Sequence, residues 1–196
     1  MTLRPRIGIL GGSFNPVHLG HIQLADYLVQ TTQLTAVWLM LSPRNPLKQY
    51  PADMPSDEQR MDMLRIAAEA SPRLEATDIE LSMLRPSYTI DSLRRLRLLH
   101  PDVDFSLVIG SDNWLVFDQW RDYRSIIDEF SPVIYPRPGY PVDTDSLPEG
   151  VTLVSAPMLD ISSTQLREAI AAGLDMNLFL PAGVMDYILT NNLYRL

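Results

Sequence analysis

The sequence predicts an α/β protein: a doubly wound parallel sheet with helices on both faces, folded as a single domain over residues 1–196. Three observations carry that expectation. Short apolar runs alternate with segments of helical period along the chain, the pattern of repeated strand–helix–strand units. The run "TAVWLML" is apolar on nearly every position, as a strand covered on both faces is, and "DVDFSLVIG" reads as another buried strand. With 196 residues and 46% apolar content the chain can bury one full core, and its length suits one domain better than two.

The elements follow in order. Residues 6–10 are the first strand, and "HLGHIQLADYLVQTT" then places Ile22, Ala25, Leu28 and Val29 at helical spacing. Residues 35–41 complete a βαβ unit. Prolines at 43, 46, 51 and 55 prevent regular structure and mark a long loop of the kind that is usually functional. Ser56 and Gln59 form a capping-box pattern that opens a helix with Met61, Leu64, Ile66 and Ala68 available for its buried side. "RLEATDIEL" is a strand, "SYTIDSLRRLRLLHP" a helix entered near Thr89 and stopped by Pro101, and 102–110 the buried strand ending at Gly110. Residues 111–130 read as helical or irregular, "SPVIYP" and "VTLVSAP" as strands. "SSTQLREAIAAG" is a helix capped by serine and ended by Gly173, and Pro181 starts a last one.

The formal charge of −8 and pI near 4.8 leave no overall positive field for a nucleic-acid polymer or an anionic membrane. A small charged ligand in a local pocket remains open. The absence of cysteine excludes disulfides, thiolate zinc sites and cysteine nucleophiles. No segment approaches the roughly 20 apolar residues of a membrane span, and the N-terminal apolar stretch is too short for a signal peptide. Cytoplasm is the expected compartment, and a homo-oligomer is possible.

In parallel sheets of this kind, ligands bind at the C-terminal strand edges where the strand order reverses. The stretch after the first strand, "GGSFNPVHLGH", holds two of the three histidines, His18 and His21. Three positions apart at a helix start, they share a face and lean toward the helix N-terminus, where free N–H groups and the dipole already favour an anion. Gly20 between them leaves room for a ligand against the backbone. The glycines fit neither the G-x-G-x-x-G fingerprint nor the G-x-x-x-x-G-K-[ST] phosphate loop, and a zinc site lacks both ligand number and spacing. The plain alternative is a pair of polar helix caps.

Residues 11–21 resemble the H-x-G-H signature of the nucleotidyltransferase superfamily, and "ISSTQLR" resembles its second signature, the I-S-S-T-x-[IL]-R segment. "SYTIDSL", "VIGSD", Trp120 and "PRPGY" between them are similar to bacterial nicotinate mononucleotide adenylyltransferases. The resemblance runs from Ile7 to about Tyr187 and implies a Rossmann-like fold. It implies transfer of the adenylyl group of ATP to nicotinate mononucleotide, giving deamido-NAD and pyrophosphate in NAD biosynthesis, with Mg²⁺ accompanying the ATP and no metal-ligating residues named. A phosphate monoester is a competent nucleophile, so the protein's task is alignment and charge stabilisation, without a covalent intermediate.

On that resemblance His18, His21 and Arg167 are the catalytic candidates. Gly11, Gly12, Ser13, Lys48, Ser162, Ser163 and Thr164 are expected on phosphates. Gly20, Gly110 and Asp112 are expected near the adenosine moiety, Asp112 also reading as a helix cap. Ser13, Phe14, Thr89, Trp120 and Arg121 are expected around the mononucleotide, with core packing the alternative for Trp120. The chain departs from the family at Leu47, where a histidine is usual before Lys48, its only lysine, and at Arg121, where an aromatic residue or histidine is usual. Pantetheine-phosphate adenylyltransferases usually show T-x-G-H and a lysine at the position of Arg167. The competing reading of another class is a non-catalytic sensor of NAD precursors.

Overall fold

The computed structural model describes residues 4–43, 54–157 and 162–195. Six parallel strands, β1 (Arg6–Gly12), β2 (Ala36–Leu41), β3 (Leu74–Thr77), β4 (Asp104–Gly110), β5 (Val133–Tyr135) and β6 (Thr152–Leu153), form one sheet in the order β3-β2-β1-β4-β5-β6. Between them run α1 (Leu19–Thr31), α2 (Asp57–Ala68), α3 (Thr89–Leu99), α4 (Ser111–Trp114) and α5 (Tyr123–Phe130), followed by α6 (Ser163–Ala171) and α7 (Val184–Thr190). The chain leaves β1 toward β2 on one side and returns to β4 on the other. The C-terminal ends of β1 and β4 therefore splay their outgoing segments apart and leave a crevice between them.

The two-residue period of the strands sorts their side chains between two cores. Ile7 and Ile9 of β1, with Phe105, Leu107 and Ile109 of β4, meet Ile90, Leu93 and Leu96 of α3 and Ile126 and Phe130 of α5. Leu10, Val108 and the β2 residues Val37, Leu39 and Leu41 face the opposite side, against Ile22, Ala25 and Leu28 of α1, Met61 and Leu64 of α2, and the apolar sides of α6 and α7. Each of these side chains except the small Ala25 contributes about 1.5–3 kcal/mol by leaving water. The covered faces explain the near-continuous apolar composition of β2 and β4. Among the described residues no helix is long and apolar enough to cross a membrane.

Several elements differ from expectation. The strand expected over 73–81 stops at Thr77, where its pairing with β2 ends at Met40, and Ile79–Ser82 winds into a 3₁₀ turn that buries Ile79 and Glu80 side by side. The buried side of α2 carries Arg60, Met63 and Ala67 besides Met61 and Leu64, while Ile66 and Ala68 are only partly buried. Val29 of α1 is likewise partly buried. The strand expected over 151–157 is ordered as β6 for two residues only, paired with β5. The last helix begins at Val184 rather than at Pro181, whose carbonyl accepts the Val184 N–H in a preceding turn at 3.1 Å. Gly173 ends the α6 segment as expected, at a φ of +79° that a side chain would strain.

Candidate functional site

Two cavities open at the crevice. The larger, about 400 Å³, lies at the ends of β1 and β4 and is lined by Gly11, Gly12, Ser42, Thr89, Gly110, Asn113, Trp120 and Tyr135, with Glu80 and Arg85 among its other walls. The smaller, about 70 Å³, is lined by His18, Gly20, His21, Tyr135 and Arg137. Tyr135 is the partition shared by both. Phosphate-sized and pyridine-sized groups can thus enter adjoining compartments from one edge of the sheet.

The histidines sit at the start of α1. His18 is its N-cap, with extended backbone, rather than a residue of the helix body. The His18 N–H donates to His21 Nδ1 at 3.2 Å, so the neutral His21 ring carries its proton on Nε2. The two rings lie 3.8 Å apart between centroids. His18 is 7% exposed, and its Nδ1 is buried without a hydrogen-bond partner among the described residues. Burial, and then the Arg137 guanidinium, hold the His18 pKa down from 6.5 to about 4. Burial, His18 and Arg137 together push His21 well below its usual value, against a smaller opposing effect of the hydrogen bond from the His18 backbone. Both imidazoles are therefore neutral N–H donors at pH 7 in the ligand-free chain rather than standing cations.

The two sequence signatures meet through direct bonds. Ser163 Oγ donates to the Pro16 carbonyl at 3.1 Å, and Arg167 Nη1 donates to the Asn15 carbonyl at 2.7 Å. Arg167 Nη2 also donates to Thr164 Oγ1 at 3.2 Å, and Ser162 caps α6 by accepting from the Thr164 N–H at 3.3 Å. From the far end of the chain, Tyr194 Oη donates to Asn15 Oδ1 at 2.7 Å. The start of α6 thus clamps the loop that carries His18, so Arg167 holds backbone in this state.

The other candidates divide. Gly11, Gly12, Thr89, Gly110 and Trp120 line the larger cavity, and Gly20 the smaller. Trp120 is half-buried with its ring 5.2 Å from Phe117, so it both packs on the core and walls the cavity. Ser13 is exposed at the end of β1. Phe14 is not a cavity residue: it is buried at a φ of +42°, with its ring against His21 edge to face at 5.0 Å, so it supports the imidazole from below. Arg121 also lies outside the larger cavity, stacked over Tyr88 at 4.6 Å and 3.6 Å from Asp91 on the outer rim. Local attraction to that ring and carboxylate accounts for its position. Asp112 stands 3.7 Å from Arg137, and a Cβ on Gly110 would meet Asp112 Oδ1 and push that side chain aside. Lys48 lies outside the described residues, as do Arg44 and the loop before residue 54.

Comparison with known proteins decides the family. A model of the cytidylyltransferase-like family matches residues 9–169. A "probable nicotinate-nucleotide adenylyltransferase" of Bacteroides fragilis is 44% identical over 186 residues, covering 95% of this chain and 92% of that protein. Its counterpart from Bacteroides thetaiotaomicron is 45% identical over 183 residues, 93% and 90% of the two chains.

The chain belongs to the nicotinate-nucleotide adenylyltransferase family.

It is accordingly a nucleotidyltransferase, and its fold recurs in solved structures. Nicotinic acid mononucleotide adenylyltransferase of Plasmodium falciparum complexed with NaAD superposes with a TM-score of 0.76 at 24% identity, over 97% of both chains. The same protein complexed with APC gives 0.75 at 23% identity, again over 97% of both chains.

Two site residues of this adenylyltransferase, and one buried charge behind the site, escape sequence reasoning. Arg137, within "PRPGY", brings its charge to the histidine cavity and donates from Nη2 to Tyr135 Oη at 3.0 Å. An arginine between prolines just after a buried strand was its signal. Tyr135, the shared wall, looked like the last residue of a strand. Arg60 was visible as a charge one turn before Leu64 on the apolar stripe of α2, where an unpaired cation would be costly.

Proposed function

We propose that nicotinate mononucleotide occupies the larger cavity and that the α-phosphate of ATP enters the smaller, with the 5′-phosphate of the mononucleotide aligned on that α-phosphorus across Tyr135. The phosphate oxygen attacks, the new P–O–P bond forms as the α–β bridging bond breaks, and deamido-NAD and pyrophosphate leave. No proton has to be removed from the nucleophile, so the site needs donors rather than a base. The observation that carries this reading is the pair of adjoining cavities at the end of β1, walled on one side by His18, Gly20 and His21 and on the other by Thr89 and Trp120.

Within the proposal, His21 Nε2–H and the His18 ring donate to the α-phosphate as its charge builds, and Arg137 adds a cation beside them. Arg167 with Ser163 keeps the loop at 15–16 in place, and the N–H groups at the start of α6, with the hydroxyls of Ser162 and Thr164, face the β and γ phosphates. Lys48 is assigned to the same phosphates on family resemblance alone. Trp120 stacks on the pyridine ring, the Gly12 N–H and Ser13 hold the mononucleotide phosphate, and the first-turn N–H groups of α3 at Thr89 serve the nicotinate carboxylate. Asp112 takes ribose hydroxyls. ATP is used as its magnesium complex, so the ion arrives with the substrate and neutralises the leaving pyrophosphate. The enzyme is proposed to act in the cytoplasm.

The test is pyrophosphate release by purified protein with MgATP and, in parallel, nicotinate mononucleotide, nicotinamide mononucleotide and phosphopantetheine, with products identified by mass. Release is expected with the nicotinate substrate well above the other two. Silence with all three, in folded protein that binds ATP, would replace this reading with a sensor of nucleotides.

A further inference from the structure

One buried cation has no part in the chemistry above. Arg60 is fully enclosed on α2. A guanidinium taken out of water must be paired and hydrogen-bonded to be tolerated. Its Nη1 donates to the Ser13 carbonyl at 2.6 Å and to the Ser42 carbonyl at 3.1 Å, and its Nη2 donates to Asp57 Oδ1 at 2.6 Å. Ser13 and Ser42 are the residues that immediately follow β1 and β2. There the strands part and their carbonyls lose ladder partners, so a single planar fork replaces the missing donors and ties two neighbouring strand ends together.

The connection extends into the larger cavity. Asp57 Oδ2 accepts from Arg85 Nη2 at 2.8 Å, and Arg85, Ser42 and Gly12 all line that cavity. An unbroken chain of charge-assisted bonds thus runs from the loop at 12–14, through Arg60 and Asp57, to the opposite wall at Arg85. Resting on the adenylyl-transfer reading, we propose that Arg60 is a positioning residue: through Ser13, Asp57 and Arg85 it sets the loop that holds the mononucleotide phosphate at the distance in-line attack requires. Lysine cannot substitute, because a point charge on a flexible stem cannot serve two carbonyls and a carboxylate in one plane.

The experiment compares wild-type protein, Arg60→Lys and Asp57→Asn in steady-state pyrophosphate release with MgATP and nicotinate mononucleotide, together with melting temperature and calorimetric affinity for nicotinate mononucleotide. Misplacement of reacting groups by about 1 Å costs on the order of a hundredfold in rate. Both variants are expected to stay folded, to lose tenfold to a hundredfold in kcat at saturating substrates, and to bind the mononucleotide more weakly, while KM for ATP moves less than threefold. A merely structural role would lower the melting temperature and leave kcat of the folded fraction unchanged. Folded variants with wild-type kcat would overturn the proposal. Should Arg60→Lys fail to fold, Asp57→Asn decides alone, since Asp57 is partly exposed and its replacement keeps shape while removing charge. A wild-type protein silent with the nicotinate substrate would overturn the reaction reading, and this inference with it. Active wild type with unimpaired variants would overturn the inference only.

Discussion

Lowering the pH of the ligand-free protein from 7 to 5 should destabilise it through His18 in a way that a single substitution removes. In the unfolded chain His18 takes up a proton near 6.5, whereas in the fold burial and then Arg137 delay that uptake to about 4. Between those values the unfolded state holds more protons than the folded state, so stability falls as pH falls, beginning near 6.5 and levelling off below about 4. At 1.36 kcal/mol per unit the full gap is worth about 3 kcal/mol, and the part lost between pH 7 and 5 is about 2 kcal/mol. His21, also held well below its usual value, adds in the same direction.

Asparagine is a good N-cap, so His18→Asn keeps the start of α1 while removing the titrating ring and the part of the His21 shift that His18 causes. Urea unfolding at half-unit steps from pH 7 to 5 should show wild type losing about 2 kcal/mol more than the variant over that interval. The carboxylates common to both cancel in the difference. Parallel stability curves for the two proteins would refute the claim that His18 is buried and neutral. A bound polyphosphate should act in the opposite sense, because it favours the imidazolium, so the affinity of an unreactive ATP analogue should rise across the same window.

The remaining predictions concern the cavities. His21→Ala should lower kcat by two or more orders of magnitude with the fold retained, the usual consequence of removing a preorganised donor, and normal turnover in that variant would remove His21 from the reaction. Trp120→Ala should raise KM for the mononucleotide far more than KM for ATP; equal changes in both would mean that its contact with Phe117 and the core is its whole role. Gly110→Ala should weaken ATP binding at least tenfold, since the added methyl displaces Asp112 and crowds Arg137, and isothermal titration showing unchanged affinity would contradict the tight fit at the end of β4.

What the sequence determined by itself was local chemistry. The apolar runs of β1, β2 and β4, the capping box at Ser56, the serine cap of α6 and the glycine stop at Gly173 are written in short-range pattern, because hydrogen-bonding geometry and side-chain period act within a few residues. His18 and His21 announced themselves in the same way, as rare residues at a strand-to-helix turn. Tertiary structure decided everything that depends on a partner far along the chain. Glu80 and Ile79 turn inward because β3 runs out of pairing with β2 at Met40. Phe14 is drawn beneath His21 and Arg121 out to Tyr88 and Asp91, since each follows the neighbour that packing supplies. Arg60 meets the carbonyls of Ser13 and Ser42 across separations of 47 and 18 residues, and Arg167 meets Asn15 across 152. Whether the histidines carry charge was also decided there, because the low pKa of an imidazole comes from the water it loses and from an arginine more than a hundred positions away.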